Sequence, residues 1–216
     1  MKTLLEKWWC SSVKIKICGI TNLEEIEYLN ILKPDYIGLV FADSKRKVNI
    51  DKAITLVDKL DKNIKKVAVF RNNTYAQVEE VLKFVPVDIV QLHGEESKEF
   101  VNKIRKNFNL EIWRGTNLDS NINELSYGVD KLILDSIEPG SGVAFNWTNI
   151  KEVDFKGDIF LAGGINLNNI DIALKVEGIN GIDVSSGVEV IENGIRKKSY
   201  YKMQNIIKKV RGYNEK

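Results

Sequence analysis

Val13-Lys14-Ile15-Lys16-Ile17-Cys18-Gly19-Ile20-Thr21-Asn22, followed by Leu23, Ile26, Tyr28 and Leu29, is one strand–turn–helix unit. Val13 to Ile17 is a short β-rich run, Thr21-Asn22 supplies a helix cap, and the apolar positions beyond fall at mixed helical spacing. The same unit recurs to the end of the chain. Strand-like runs at 35–41, 66–70, 87–92, 110–114, 130–135, 158–162 and 180–184 alternate with helix-like segments near 50–60, 75–84, 96–107, 120–126, 167–175 and 198–210. A short or irregular segment near 147–152 fills the remaining crossover.

Eight such units fit a closed barrel, although an open doubly wound sheet shares the alternation. The open sheet has fewer strands and gathers its ligand at one switch point. Here polar or reactive groups terminate at least six runs: Cys18-Gly19, Phe41 before Ser44-Lys45-Arg46, Gln91-Leu92-His93-Gly94, Asp135-Ser136, Ala162-Gly163-Gly164 and Ser185-Ser186-Gly187. Chemistry spread around the carboxyl ends of successive strands is the pattern of a single (β/α)₈ TIM barrel, an α/β fold whose mouth carries the site.

Within 216 residues, 44% hydrophobic, one full core can be buried. Lys and Arg (32) nearly balance Asp and Glu (30), so a net charge of +2 leaves no footprint for nucleic acid. The basic residues Arg196-Lys197-Lys198, Lys208-Lys209 and Arg211 read as the solvated face and end of a C-terminal helix, where positive charge suits the dipole. Cys10 and Cys18 make no disulfide framework, and a single His makes no zinc spacing, so no metal is expected. A reducing, cytoplasmic setting follows. No signal peptide or membrane span is legible. Residues 1–12, with Trp8-Trp9, read as a flexible N-terminal extension preceding a catalytic domain at 13–216.

Strand alternation assigns the inward faces. Lys14, Lys16 and Cys18 share one in the first strand; Ile89, Gln91 and His93 in the fourth; Lys131, Ile133 and Asp135 in the sixth; Asp183 and Ser185 in the eighth. First and last strands are neighbours in a closed barrel. An inward Lys16 without a partner would be costly, so Lys16 is expected to pair with Asp183.

Three constellations then stand out. Ala162-Gly163-Gly164-Ile165-Asn166 and Asp183-Val184-Ser185-Ser186-Gly187-Val188 follow strands seven and eight, where barrels bind phosphate through close backbone approach. Two ordinary turns are the bland alternative. Cys18 is either a small core residue or a functional base, and Asp135 either an inward acid or a cap or ion-pair partner. Arg46, combined with His93 and Gln91, has the fork geometry to hold a carboxylate, while alone Arg46 reads as a solvated loop residue and His93 as a satisfied structural histidine.

Taken together these residues resemble the phosphoribosylanthranilate isomerase family of tryptophan biosynthesis. The resemblance is carried by Lys16 to Thr21, by Phe41 with Ser44, Arg46 and Val48, by Val90 to Gly94 and by Leu134-Asp135-Ser136. Gly140-Ser141-Gly142 with Phe145 and Trp147, Leu161 to Asn166 and Asp183 to Glu189 complete it, over residues 13–211. It implies a cofactor-independent aldose–ketose isomerase acting on a small phosphosugar–anthranilate substrate; no nucleic-acid or membrane partner is expected from charge and hydropathy, and monomer and homodimer both stay open. By matching position it makes Cys18 the general base and Asp135 the general acid. Arg46 becomes the partner of the anthranilate carboxylate, with Gln91 and His93 beside the substrate, and Gly163, Gly164, Ser186 and Gly187 the phosphate cradle.

Such an acid and base each contribute about 10²–10⁴-fold and must start in their less common form at neutral pH. Lys16 is expected to favour the Cys18 thiolate. Lys45 replaces a proline frequent in the family, Asn146 an aspartate, and the turn Val190 to Gly194 lacks a proline. Residues 1–12 have no counterpart, which makes Val13 a candidate alternative start. The histidine-pathway ribonucleotide isomerases share the phosphate turns but generally use two aspartates, which the pairing of Cys18 with Asp135 disfavours. A catalytically silent phosphosugar-binding barrel is the alternative from another class.

Overall fold

Each of eight parallel strands hydrogen-bonds the next in chain order, and the last returns to the first, closing a barrel. The strands are β1 (Lys14–Cys18), β2 (Tyr36–Val40), β3 (Lys65–Phe70), β4 (Ile89–Leu92), β5 (Glu111–Thr116), β6 (Lys131–Leu134), β7 (Asp158–Leu161) and β8 (Gly181–Val184). Between them run α1 (Leu23–Leu32), α2 (Ile50–Lys59), α3 (Tyr75–Phe84), α4 (Lys98–Asn107), α5 (Ile122–Leu125) and α6 (Ile170–Ala173); α7 (Tyr200–Asn214) ends the chain. This computed structural model describes residues 12–117, 122–135, 150 and 153–215. Trp8-Trp9, Cys10, Ser136, Gly140-Ser141-Gly142, Phe145, Asn146, Trp147 and the rest of 147–152 apart from Ile150 lie outside these, as does the start of the segment near 120–126.

The helices begin where the sequence offers capping oxygens. Asn22, Asn49, Thr74, Ser97 and Ser199 each accept from a backbone N–H of the first turn, and Thr74 with Gln77 forms a capping box. Each cap is worth about 1 kcal/mol. Alternation then splits the core in two. Ile15, Ile17, Leu132, Leu134, Ile182 and Val184 face the helix layer. Val67, Val69, Ile89, Trp113, Ile133 and Phe160 fill the barrel interior, with Cys18 and Tyr36 packed against them.

Lower in the barrel, the rings of Tyr36, Trp113 and Phe160 pack edge-on or tilted with centroids 4.9–5.7 Å apart. Lys131 Nζ lies 5.3–5.7 Å from the same three centroids and bonds Asp158. Gly181 leaves the space Phe160 needs, since a Cβ there would sit 2.3 Å from the ring. The interior is a packed plug and not a pore, so chemistry is confined to the upper rim. Lys14, on the inward parity of β1, extends past the lower rim to Asp35 at 3.3 Å.

The pairing of Lys16 with Asp183 holds. They are register partners on β1 and β8, with Nζ 2.8 Å from Oδ2. The basic run 196–198 is a correction. It belongs to an antiparallel hairpin of β9 (Glu189–Glu192) and β10 (Ile195–Lys198), and α7 starts only at Tyr200. Asn193 (φ 51°) and Gly194 (φ 77°) sit left-handed at the two-residue turn, the conformation Asn-Gly favours in tight hairpins. Alternation along β10 turns Lys198 inward, so it is 1% exposed instead of solvated.

Candidate active site

β1 ends in Cys18, whose sulfur lies over Gly38 of β2. A Cβ on Gly38 would stand 2.6 Å from Sγ, so this glycine makes the room the thiol occupies. Below it, Lys16 is fully buried and directed at both Asp183 and Cys18. Burial works against the Lys16 charge, but attraction to Asp183 and Cys18 prevails and its pKa is raised. Burial likewise pushes the Cys18 thiol up; Lys16 and Lys198 oppose this and Asp183 adds to it. Lys16 therefore favours the thiolate as expected, yet desolvation is the larger effect and the net direction is a rise.

Asp135 follows β6, its backbone N–H bonded to Thr116 of β5 at 2.8 Å. Strands β7 and β8 separate it from Cys18 on one side of the ring and β2 to β5 on the other. His93, just after β4, reaches it from two strands away, with Nε2 3.5 Å from Asp135 Oδ2. Gly115 on the intervening β5 permits this span, because a Cβ there would be 2.3 Å from His93 Nδ1. The Gln91 amide lies 2.9 Å from that same Nδ1. If the amide donates there, the ring proton is on Nε2, facing the carboxylate.

The loop after β4 is held from outside the ring. Arg114, 2% exposed, bonds Glu96 Oε2 at 2.8 Å and the carbonyls of Gly94 and Glu96. Glu96 accepts the N–H groups of Asn72 and Gly94. Burial lowers the Arg114 pKa, against the pull of Glu96.

Arg46 stands apart from Gln91 and His93 among the described contacts. Its chain packs over Gly19, and its Nε and Nη2 bond Glu189 Oε1 and Oε2 at 2.6 and 2.9 Å. Gln91 bonds His93, and His93 approaches Asp135, so the expected grouping of Arg46 with both is not formed among the described contacts. Glu189 also accepts from Arg196 at 2.7 Å and Lys198 at 2.9 Å. Burial raises its pKa, but the three cations dominate and hold it at about 2. Lys198 continues to the Ser185 carbonyl (3.0 Å), and Ser185 Oγ donates to the Cys18 carbonyl (3.1 Å).

Two glycine turns complete the rim. Gly163 (φ 80°) and Gly164 (φ 66°) are left-handed, and the Gly164 carbonyl accepts from the side chains of Asn166 and Asn169. Ser186–Val188 is a 3-10 turn after β8, and a Cβ on Gly187 would stand 1.9 Å from the Ile165 carbonyl oxygen. The two turns thus touch, with the N–H groups of Ser186 and Gly187 at the open start of the 3-10 turn. Such a nest suits an anion. Among the described residues no cluster of metal-ligating side chains occurs, and no helix is long and apolar enough to cross a membrane.

Sequence reasoning missed Glu96, Arg114, Gly115, Lys198 and the role of Glu189. For Glu189 and Lys198 a signal existed, since Asn193-Gly194 between Val190-Ile191 and Ile195 announces a hairpin that pairs Glu189 with Lys198. Gly115 and Arg114 carry no signal without the packing around them.

Residues 15–209 match the family model described as N-(5'phosphoribosyl)anthranilate (PRA) isomerase. The chain is 39% identical to the N-(5'-phosphoribosyl)anthranilate isomerase of Clostridium beijerinckii, over 94% of this chain and 99% of the relative. Its fold superposes on the crystal structure of phosphoribosyl anthranilate isomerase from Thermus thermophilus with a TM-score of 0.82, at 27% identity over 93% and 99% of the two chains. A third match, at 30% identity and TM-score 0.77 over the same shares, is a phosphoribosyl anthranilate isomerase in complex with reduced 1-(o-carboxyphenylamino)-1-deoxyribulose 5-phosphate.

Proposed function

Because this chain belongs to the N-(5'-phosphoribosyl)anthranilate isomerase family, we propose that its barrel mouth performs the reaction with Cys18 as base and Asp135 as acid. The chain is an enzyme of tryptophan biosynthesis. It converts N-(5-phosphoribosyl)anthranilate to 1-(2-carboxyphenylamino)-1-deoxyribulose 5-phosphate, an Amadori rearrangement of an aldose-derived amine to a ketose.

In this reading Asp135, protonated, donates to the furanose ring oxygen as the C1′–O bond breaks and the anilino nitrogen forms a C=N⁺ bond. Cys18 as thiolate removes the C2′ proton, and its electrons flow through the new C1′=C2′ bond to neutralise nitrogen. The enolamine then loses its hydroxyl proton and gains one at C1′, leaving the ketone. Atoms and charge balance without a cofactor. His93 orients the Asp135 carboxyl and Gln91 orients His93. The N–H groups of Gly163, Gly164, Ser186 and Gly187 hold the phosphate, and Arg46 receives the anthranilate carboxylate.

The observation that carries the reading is that a thiol at the end of β1 and a carboxyl just after β6, with His93 Nε2 3.5 Å from it, stand at strand ends on the rim that bears the two touching glycine turns. Turnover of N-(5-phosphoribosyl)anthranilate, followed by loss of anthranilate fluorescence, tests it. The wild-type protein turns the substrate over, and Arg46→Ala raises KM with a smaller effect on kcat. A barrel that binds without catalysing would show no fluorescence loss at any concentration.

A further inference from the structure

Arg46 has two edges that can each hold a carboxylate, and Glu189 occupies one of them. The side-on edge, Nε with Nη2, is bidentate to Glu189. The end-on edge, Nη1 with the second N–H of Nη2, makes no hydrogen bond among the described residues. We propose that Glu189 is the positioning residue that presents this free edge, so that selection of the substrate's ortho-carboxylate resides in the Arg46–Glu189 pair and not in Arg46 alone. The inference rests on the assignment of Arg46 to that carboxylate and deepens it.

Three features support it. First, the carboxylate of Glu189 is 4% exposed, while the Arg46 side chain is 20% exposed, so the fixed partner is buried and the presented one is open. Second, the charge count favours a further anion. Arg46, Arg196 and Lys198 surround one carboxylate, leaving two positive charges uncompensated within this group. Without Glu189 those cations would repel one another, and Arg46 would have no reason to lie along Gly19. Third, the carboxylate sits at the base of the hairpin, where Lys198 is its register partner. The Asn193-Gly194 turn therefore sets where the Arg46 fork points. Guanidinium recognition of a carboxylate is bidentate and directional, so a fixed edge gives selectivity that a freely rotating side chain would not.

Binding of two compounds tests this: reduced 1-(2-carboxyphenylamino)-1-deoxyribulose 5-phosphate and its phenylamino counterpart lacking the carboxylate. In the wild-type protein the first binds about tenfold or more tightly than the second. Arg46→Ala and Glu189→Gln both erase that preference while leaving the affinity for the second compound within about threefold. If Arg46→Ala keeps the preference, the assignment of Arg46 itself is wrong. If Arg46→Ala loses it and Glu189→Gln keeps it, the assignment stands and the positioning role is refuted. A Glu189→Gln protein that weakens both compounds equally also refutes it, since that marks a general structural role. Should Glu189→Gln not fold, a crystal structure of the wild-type protein with the carboxylated compound decides the matter. Arg46 holding Glu189 and the ligand carboxylate on its two edges supports the inference, and Arg46 leaving Glu189 to take the ligand overturns it.

Discussion

Lys16 of β1 crosses the closing seam of the barrel to Asp183 of β8, with its ammonium 2.8 Å from the carboxylate and wholly out of water. The pair joins first strand to last and places a positive charge under the Cys18 thiol. Removing one partner of a buried ion pair strands the other, at about 3–5 kcal/mol. Lys16→Met is expected to lose stability in that range, and Lys16→Met combined with Asp183→Leu to lose less than Lys16→Met alone. Denaturant unfolding of both variants checks this, and a double variant no more stable than Lys16→Met alone would count against the seam as described.

Because burial raises the Cys18 pKa more than Lys16 and Lys198 lower it, the thiol is the resting form at neutral pH. Only the thiolate reacts, and its fraction grows with pH. Alkylation of Cys18 should therefore rise through a pKa above the ordinary thiol value of about 8.5, and kcat/KM should climb along the same limb. Lys16→Met removes a lowering influence and shifts the limb further up. A rate profile that titrates below the ordinary value would contradict the balance of effects argued above.

His93 reaches Asp135 only because Gly115 has no side chain. Gly115→Ala is expected to displace the imidazole and lower kcat by about 10²-fold, as small misplacements near reacting groups do. Its stability cost stays near 1–3 kcal/mol, since only overpacking is involved. Activity and melting temperature measured on the same preparation separate the two effects; a fully active variant would remove His93 from the account.

Glu189 is held at about 2, well below the usual carboxylate value of about 4.3. A depressed folded-state pKa stabilises above the unfolded value, and that contribution fades as pH falls from about 4.5 towards 2. The displacement corresponds to about 3 kcal/mol. Unfolding free energies across this window should fall more steeply for wild type than for Glu189→Gln. Parallel curves would mean the three cations do not hold the carboxylate as described.

The barrel was readable because strand alternation is a local signal. The inward positions of Lys16, Gln91, Ile133 and Asp183 follow from period two alone, and closure then forces Lys16 onto Asp183. What escaped depends on packing between distant segments. That Gly115 is a passage for His93, or that Arg114 anchors Glu96, appears only once β4 and β5 lie side by side. The basic run ending in Lys198 was misread because charge composition suggested solvent, whereas the Asn193-Gly194 turn sends Lys198 back onto Glu189. Net pKa direction at Cys18 was likewise illegible, since desolvation is a property of the assembled rim.

The catalytic roles rest on one sulfur and one carboxyl acting on the same sugar. The measurement that bears on this most directly is kcat for Cys18→Ala and Asp135→Ala, each shown to be folded, with N-(5-phosphoribosyl)anthranilate at saturation. Each is expected to lose about 10²-fold or more, the contribution of a positioned acid or base. Either variant turning over at the wild-type rate would show that its side chain takes no part in moving the proton.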